Sequence, residues 1–307
     1  MTSVSDMSVH NVQQFWNTDA CGTHDLHFSR GTPEFYEKYR ELRYRSEWHI
    51  PQLVPFAGTI GKKVLEIGCG AGADGVMFAN HGAQYTGVDL TETAVDATRQ
   101  HFALFALRGT FQVEDAERLS FSDGSFDFVY SHGVLHHTPH PDQAFREVYR
   151  VLKPGGKAVL MLYHKHSVNY YFRIMGYMRA RVMLRILSRV GHFSQDRAQL
   201  VDRLKGVRGN SSPSVWGVHY NNFLRSGWSY LRPDNFIHHA TDGPECPIAF
   251  VYTCHSVRRA LVQFRTVETR VAHLPLRKTS LGRWVPHSIE SKLASHLGWY
   301  LFVYLEK

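Results

Sequence analysis

Lys63–Asp89 reads KVLEIGCGAGADGVMFANHGAQYTGVD, and this stretch decides the fold. Its apolar opening, Val64-Leu65-Glu66-Ile67, has the composition of a strand buried in a parallel sheet. Gly68-Cys69-Gly70-Ala71-Gly72 follows at once. Glycines there permit a tight turn and let the backbone approach a ligand closely. A helix is predicted over about residues 73–81, closed by Gly82, and residues 84–88 form a second strand that ends on Asp89. The unit is a βαβ nucleotide cradle, with an acid at the tip of its second strand to hold ribose hydroxyls. About 20 residues separate Gly68 from Asp89, the spacing such an acid needs.

The choice of nucleotide turns on one position. A dinucleotide fingerprint G-x-G-x-x-G places its third glycine at 73, where Ala73 stands. The pattern present is E-x-G-x-G-x-G, from Glu66 to Gly72, followed in order by Asp89 and later by Asp115-Ala116. On these residues the chain resembles class I S-adenosylmethionine (SAM)-dependent methyltransferases with the type 11 methyltransferase domain, over roughly residues 61–163. The resemblance implies SAM as cofactor and S-adenosylhomocysteine (SAH) as product. It gives Glu66 and the turn Gly68, Cys69, Gly70 and Gly72 to the methionine end and Asp89 to the ribose. Leu90, Asp115 and Ala116 would frame the adenine, with Ser131 beside the cofactor. The alternative for the glycines is a turn that binds nothing.

Composition narrows the class. Apolar content of 43% suffices for a packed core, and 20% charged residues argue against disorder. The net charge of +8 permits an anionic partner, but it is spread along the chain, which fits a basic soluble enzyme. Cys21, Cys69, Cys246 and Cys254 form no C-x-x-C pair and no zinc spacing, so free thiols in a reducing cytoplasm are expected. No signal peptide and no apolar run of membrane-spanning length is visible, so stable membrane insertion is not expected.

Strands and helices alternate along the chain. Residues 9–16 make a short amphipathic helix with Ser8 as its cap, and residues 33–49 a second helix dense in Tyr, Arg and Glu. Trp16, Tyr39, Arg43 and Tyr44 belong either to a lid over the ligands or to packing on the main domain or a neighbouring subunit. Thr91 caps a helix over about 92–107. Strands follow at 110–113, 126–131 and 157–163, the last after a stop at Lys153-Pro154-Gly155-Gly156. The predicted architecture is α/β, a doubly wound, Rossmann-like sheet of about seven strands. It divides into an N-terminal helical extension (1–60), a SAM-binding core (61–163), a helical and loop substrate cap (164–262) and C-terminal strands and helix (263–307). Within the cap, residues 167–190 read as one long basic helix, residues 206–213 as loop, and 241–247 as a strong loop signal.

The chemistry is less fixed than the cradle. Methyl transfer needs the acceptor held in line behind the methyl group, in a site that excludes water. His132, His136 and His137 follow the fourth strand and are candidate bases, since imidazole titrates near neutrality. The competing role for His136 and His137 is to orient their loop. Tyr163 joins them as a catalytic candidate, and Tyr39, Tyr44, His164, Asn169 and Tyr170 are candidate acceptor contacts. No metal site is expected. Aromatic residues reach 13%, which suits a hydrophobic small-molecule acceptor, a secondary metabolite. Such a pocket also suits C-methylation of an isoprenoid alkene with cation rearrangement or cyclisation, as in the C-methyltransferases of teleocidin-type terpenoid indole alkaloids. No motif anchors that option, and O- or N-methylation competes with it. A catalytically silent SAM-binding regulator is the alternative of another class. A nucleic-acid methyltransferase lacks its Asn/Asp-Pro-Pro-aromatic motif, since Ser131-His132-Gly133-Val134 stands in its place, and no nucleic-acid partner is expected.

Overall fold

The computed structural model describes residues 8–18, 31–204, 214–274, 276 and 284–307. Eight strands form one sheet: β1 (Lys63–Ile67), β2 (Gln84–Asp89), β3 (Thr110–Val113), β4 (Phe126–His132), β5 (Leu152–His164), β6 (Val251–Tyr252), β7 (Thr266–Ala272) and β8 (Tyr300–Glu306). Their order is β3-β2-β1-β4-β5-β8-β7, with the two-residue β6 paired to the end of β5. β1 to β6 pair with one another in parallel, and β8 is antiparallel to both β5 and β7. This is the doubly wound sheet the sequence predicts. The strand order reverses between β1 and β4, and the crevice outside their carboxyl ends is where such sheets bind ligands.

Alternation along the strands fills both faces. In β4, Phe128 and Tyr130 join Val64, Phe78 and Phe302 on one side. Val129 joins Leu65, Ile67, Phe145 and Leu301 on the other. A third cluster, including Ile174, Val182, Tyr220, Phe223 and Phe236, packs residues of the 164–262 segment among themselves and against Tyr163 and Trp299.

Capping follows the sequence closely. The Ser8 hydroxyl accepts from Asn11 N–H, Thr91 from Ala94, and Thr253 forms a reciprocal box with Ser256. Three elements differ from expectation. The helix predicted over 33–49 ends at Ser46 and a short turn resumes at Ile50–Leu53, because Pro51 has no N–H to continue the ladder. The 153–156 stop lies inside β5: Leu152 already pairs with Phe126, and the next pair is Phe128 with Lys157. The basic 167–190 helix divides into wide π-helical turns over Asn169–Met178 and an α-helix over Arg179–Leu187. The predicted 206–213 loop lies outside the described residues, as does Cys21; Cys69, Cys246 and Cys254 are free thiols.

Candidate active site

The glycine turn is held from below and from the side. Gly68 and Cys69 N–H groups donate to the Val88 carbonyl at 2.8 and 3.0 Å, and Gly70 N–H donates to Asp89 Oδ2 at 3.1 Å. The helix Glu92–Leu104 supplies Thr98, whose hydroxyl donates to Gly70 O, and His101, whose Nδ1 lies 2.7 Å from Ala71 O. Gly68 and Gly70 both have positive φ, 82° and 55°. A Cβ on Gly68 would overlap the Val134 side chain, so the turn after β4 rests directly on the loop. A Cβ on Gly70 would meet nothing within 4 Å. That open side leaves room for a ligand against the turn.

Around it stand the predicted cofactor residues. Asp89 Oδ1 accepts from both the N–H and the hydroxyl of Thr91. Burial pushes the Asp89 carboxyl up, against the pull of these donors. Glu66 is buried and accepts from Tyr85 Oη at 2.6 Å; burial, and then Asp74, push its pKa well up. Ser131 Oγ donates to Ile67 O at 2.9 Å, tying β4 to β1. Asp115 Oδ1 accepts from Glu117 N–H, and Ala116 is packed in the core beside it. The Leu90 carbonyl accepts from Gln13 Nε2 of the helix Val9–Thr18, which also meets Thr93 through Asn17.

A chain of buried charges runs behind the loop. Arg43 pairs with Asp74 at 2.5 Å and with Glu47 at 3.3 Å. Tyr44 and Tyr130 hydroxyls donate to Asp74 at 2.9 and 3.0 Å, and Tyr300 donates to Glu47 at 2.6 Å. His132 Nε2 lies 3.4 Å from Glu47. Burial opposes ionisation of Glu47, but Arg43 and His132 outweigh it and hold its pKa well below the usual carboxylate range. Tyr39 is buried in a cluster with Phe35, Ala71 and Ala73. Of the candidate acceptor contacts, Tyr39 and Tyr44 therefore stand in packing and in this network.

The remaining candidates separate. His136, His137 and Tyr163 come together: His136 packs 4.0 Å from the Tyr163 ring and 4.4 Å from His137. Two residues the sequence did not single out as site residues complete the group. Asp242 accepts from Tyr163 Oη at 2.9 Å and lies 3.3 Å from His137 Nε2. Trp299 stacks on Tyr163 at 4.5 Å. Trp16 meets His137 edge-on at 5.2 Å, so the helix that touches Leu90 and Thr93 also covers this cluster. The Asp242 loop is placed by β6, which extends β5 at Tyr163, and by Phe250 N–H donating to His136 O. His164 instead bonds the Gly298 carbonyl, Asn169 accepts from Arg173, and Tyr170 is buried in the third cluster. Asp242 lies in the Thr241–Gly243 turn, which the sequence marks as loop without marking its acid as a site residue.

Comparison with known proteins agrees with the cradle. A family model described as a methyltransferase domain matches residues 65–160. The chain is 31% identical over 179 residues to a ubiquinone biosynthesis O-methyltransferase of Psychrobacter arcticus, covering 56% of this chain and 67% of that relative. It is 31% identical over 166 residues to one of Coxiella burnetii, covering 52% and 68%. A SAM-dependent methyltransferase structure from Mesorhizobium loti aligns over 85% of this chain and 98% of its own, at 18% identity and a TM-score of 0.47. This chain belongs to the SAM-dependent methyltransferases. Its cofactor is SAM, and its reaction is methyl transfer. Among the described residues no helix is long and apolar enough to cross a membrane.

Proposed function

We propose that this enzyme methylates a hydroxyl group on a hydrophobic small molecule. The supporting observation is the character of the group around Tyr163. Trp16, His136, Tyr163 and Trp299 bring aromatic rings together there, and beside them stand two hydrogen-bond acceptors, His137 Nε2 and the Asp242 carboxylate. Aromatic walls around two acceptors, of which His137 Nε2 has no partner among the described residues, suit an apolar molecule that carries a donor, which is what an alcohol or phenol is. The O-methyltransferase names of the relatives point the same way.

In this reading Gly68–Gly72, Glu66 and Asp89 hold the cofactor, with Leu90, Asp115, Ala116 and Ser131 at its nucleoside end. The sulfonium of SAM makes the methyl group electrophilic. The helix Val9–Thr18 closes over both the Leu90 edge and His137, excluding water, and residues 164–262 form the acceptor's cap. The Tyr163–Trp299 stack also favours a second reading, C-methylation of an alkene, because stacked π faces stabilise a passing cation. Incubation with methyl-labelled SAM and a panel of phenols, alcohols, amines and prenylated acceptors, with the label located by NMR, tests both. Label on oxygen of the apolar hydroxyl compounds is expected. Label confined to carbon or nitrogen refutes the hydroxyl reading, and no transfer to any acceptor favours a silent SAM-binding protein.

A further inference from the structure

We infer that His137 is the base that removes the acceptor's hydroxyl proton and that Asp242, held by Tyr163, is the charge partner that positions it; the inference rests on the hydroxyl reading above. His137 Nδ1 lies 2.7 Å from the Ile248 carbonyl, which can only accept, so Nδ1 carries the hydrogen of the neutral ring. Nε2 is then left with a lone pair. It is buried, with the His137 side chain 3% exposed, and has no hydrogen-bond partner among the described residues. It faces Asp242 Oδ2 at 3.3 Å. In that neutral tautomer two acceptor atoms confront each other with no hydrogen between them. Among the described residues the Asp242 carboxylate accepts from the Tyr163 hydroxyl, at 2.9 and 3.1 Å, and its side chain is 21% exposed. A substrate O–H entering beside Asp242 supplies the missing donor.

The step balances. The hydroxyl proton passes to His137 Nε2, and the oxygen bonds to the methyl carbon as that carbon's bond to sulfur breaks. The bonding pair stays on sulfur, leaving a neutral ether and a neutral thioether. The imidazolium formed has Ile248 O on one nitrogen and the Asp242 carboxylate beside the other, so its new N–H finds an acceptor and its charge an opposite partner. The other histidines are placed differently. Both His136 nitrogens are buried without hydrogen-bond partners among the described residues, and its ring is packed between Tyr163 and His137. His132 faces Glu47 in the charge network behind the glycine turn. Cys246 is a further polar neighbour of His137, its sulfur 3.9 Å from Nδ1.

The test uses the full chain, the variants His137→Gln, Asp242→Asn and Tyr163→Phe, and phenols of graded acidity. A lost base costs about 10²- to 10⁴-fold, so His137→Gln and Asp242→Asn should lose at least about a hundredfold in rate on weakly acidic phenols. They should lose far less on nitrophenols that ionise unaided, with SAM affinity by calorimetry unchanged. Tyr163→Phe should show a smaller loss of the same pattern, which keeps the test open if either other variant fails to fold. A second readout needs no turnover. With SAH bound, the parent should bind a nitrophenol as its coloured phenolate below that phenol's solution pKa, and His137→Gln should bind it as the phenol. Equal losses across the acidity series, or none, overturn the inference while labelled oxygen in the parent leaves the hydroxyl reading standing. Methyl found only on carbon or nitrogen removes both. His137, Asp242 and Cys246 also bring three donor atoms within 4.8 Å of one another, so the metal content of the parent is decisive as well. One zinc per chain, released by Asp242→Asn, would occupy the Nε2 lone pair and overturn the assignment of a free base.

Discussion

Replacing Gly70 and Gly68 by alanine, one at a time, separates the ligand's seat from the fold's support. Both residues have positive φ, so each substitution carries a backbone cost of about 1–2 kcal/mol. At Gly70 that is the whole cost to the free protein, because the new Cβ meets nothing within 4 Å. The same Cβ stands on the open side of the turn. If SAM fills that space, accommodating a methyl group there costs about 1–3 kcal/mol of binding, or roughly 5- to 150-fold in Kd. At Gly68 the Cβ overlaps Val134, which adds about 1–3 kcal/mol of overpacking to the fold itself. Thermal melts and calorimetric titration with SAH should therefore give opposite rankings. Gly68→Ala should melt several degrees below Gly70→Ala, and Gly70→Ala should be well folded but weak in binding. A folded Gly70→Ala that binds SAH as tightly as the parent would refute the placement of the cofactor against this turn.

Two other outcomes test the supports of the site. Arg43→Met removes the cation that pairs with buried Asp74 and with Glu47, and breaking such a pair costs about 3–5 kcal/mol, readable as a shifted urea midpoint. Stability should also fall with acid through buried neutral histidines. Burial pushes His101 down to about 4, against an unfolded value near 6.5. Its Nδ1 faces Ala71 O and its Nε2 is buried without a partner among the described residues, so the folded state resists the second proton while the unfolded chain accepts it. Stability is therefore full above about pH 6.5 and is lost as the pH falls toward 4, by about 3 kcal/mol from this residue. His101→Asn, which keeps a donor in place of Nδ1–H, should flatten that slope in pH-dependent denaturant melts.

The cradle was legible because its parts are contiguous and each residue type has a local reason. A buried apolar run, glycines in a left-handed turn and an acid at a strand tip all fall within Lys63–Asp89, and β1 and β2 lie where they were expected. The β4 turn was legible as a place for histidines, though only the fold chooses among them. What could not be read depends on distant partners. Asp242 meets Tyr163 across 79 residues of sequence, and nothing local distinguishes it from any other turn acid. The helix Val215–Ser226 was obscured for a related reason. Its buried face includes His219 and Tyr220, which look like surface residues until Tyr230 and Asp196 satisfy them. The Lys153–Gly156 segment has the chemistry of a chain stop, yet β5 has already begun pairing at Leu152.

The position of β8 has a consequence for how the protein is made. This strand lies between β5 and β7, and its pairing runs the length of β5 from Lys157 to Tyr163. On the ribosome, the first five strands emerge long before residues 300–306 do. During that interval one flank of β5 presents its amide and carbonyl groups to whatever strand is nearby, including those of other nascent chains. Trp299 and Tyr300, which border Tyr163, arrive in the same late segment, so the aromatic cluster around Tyr163 is completed at the moment the sheet loses its open edge.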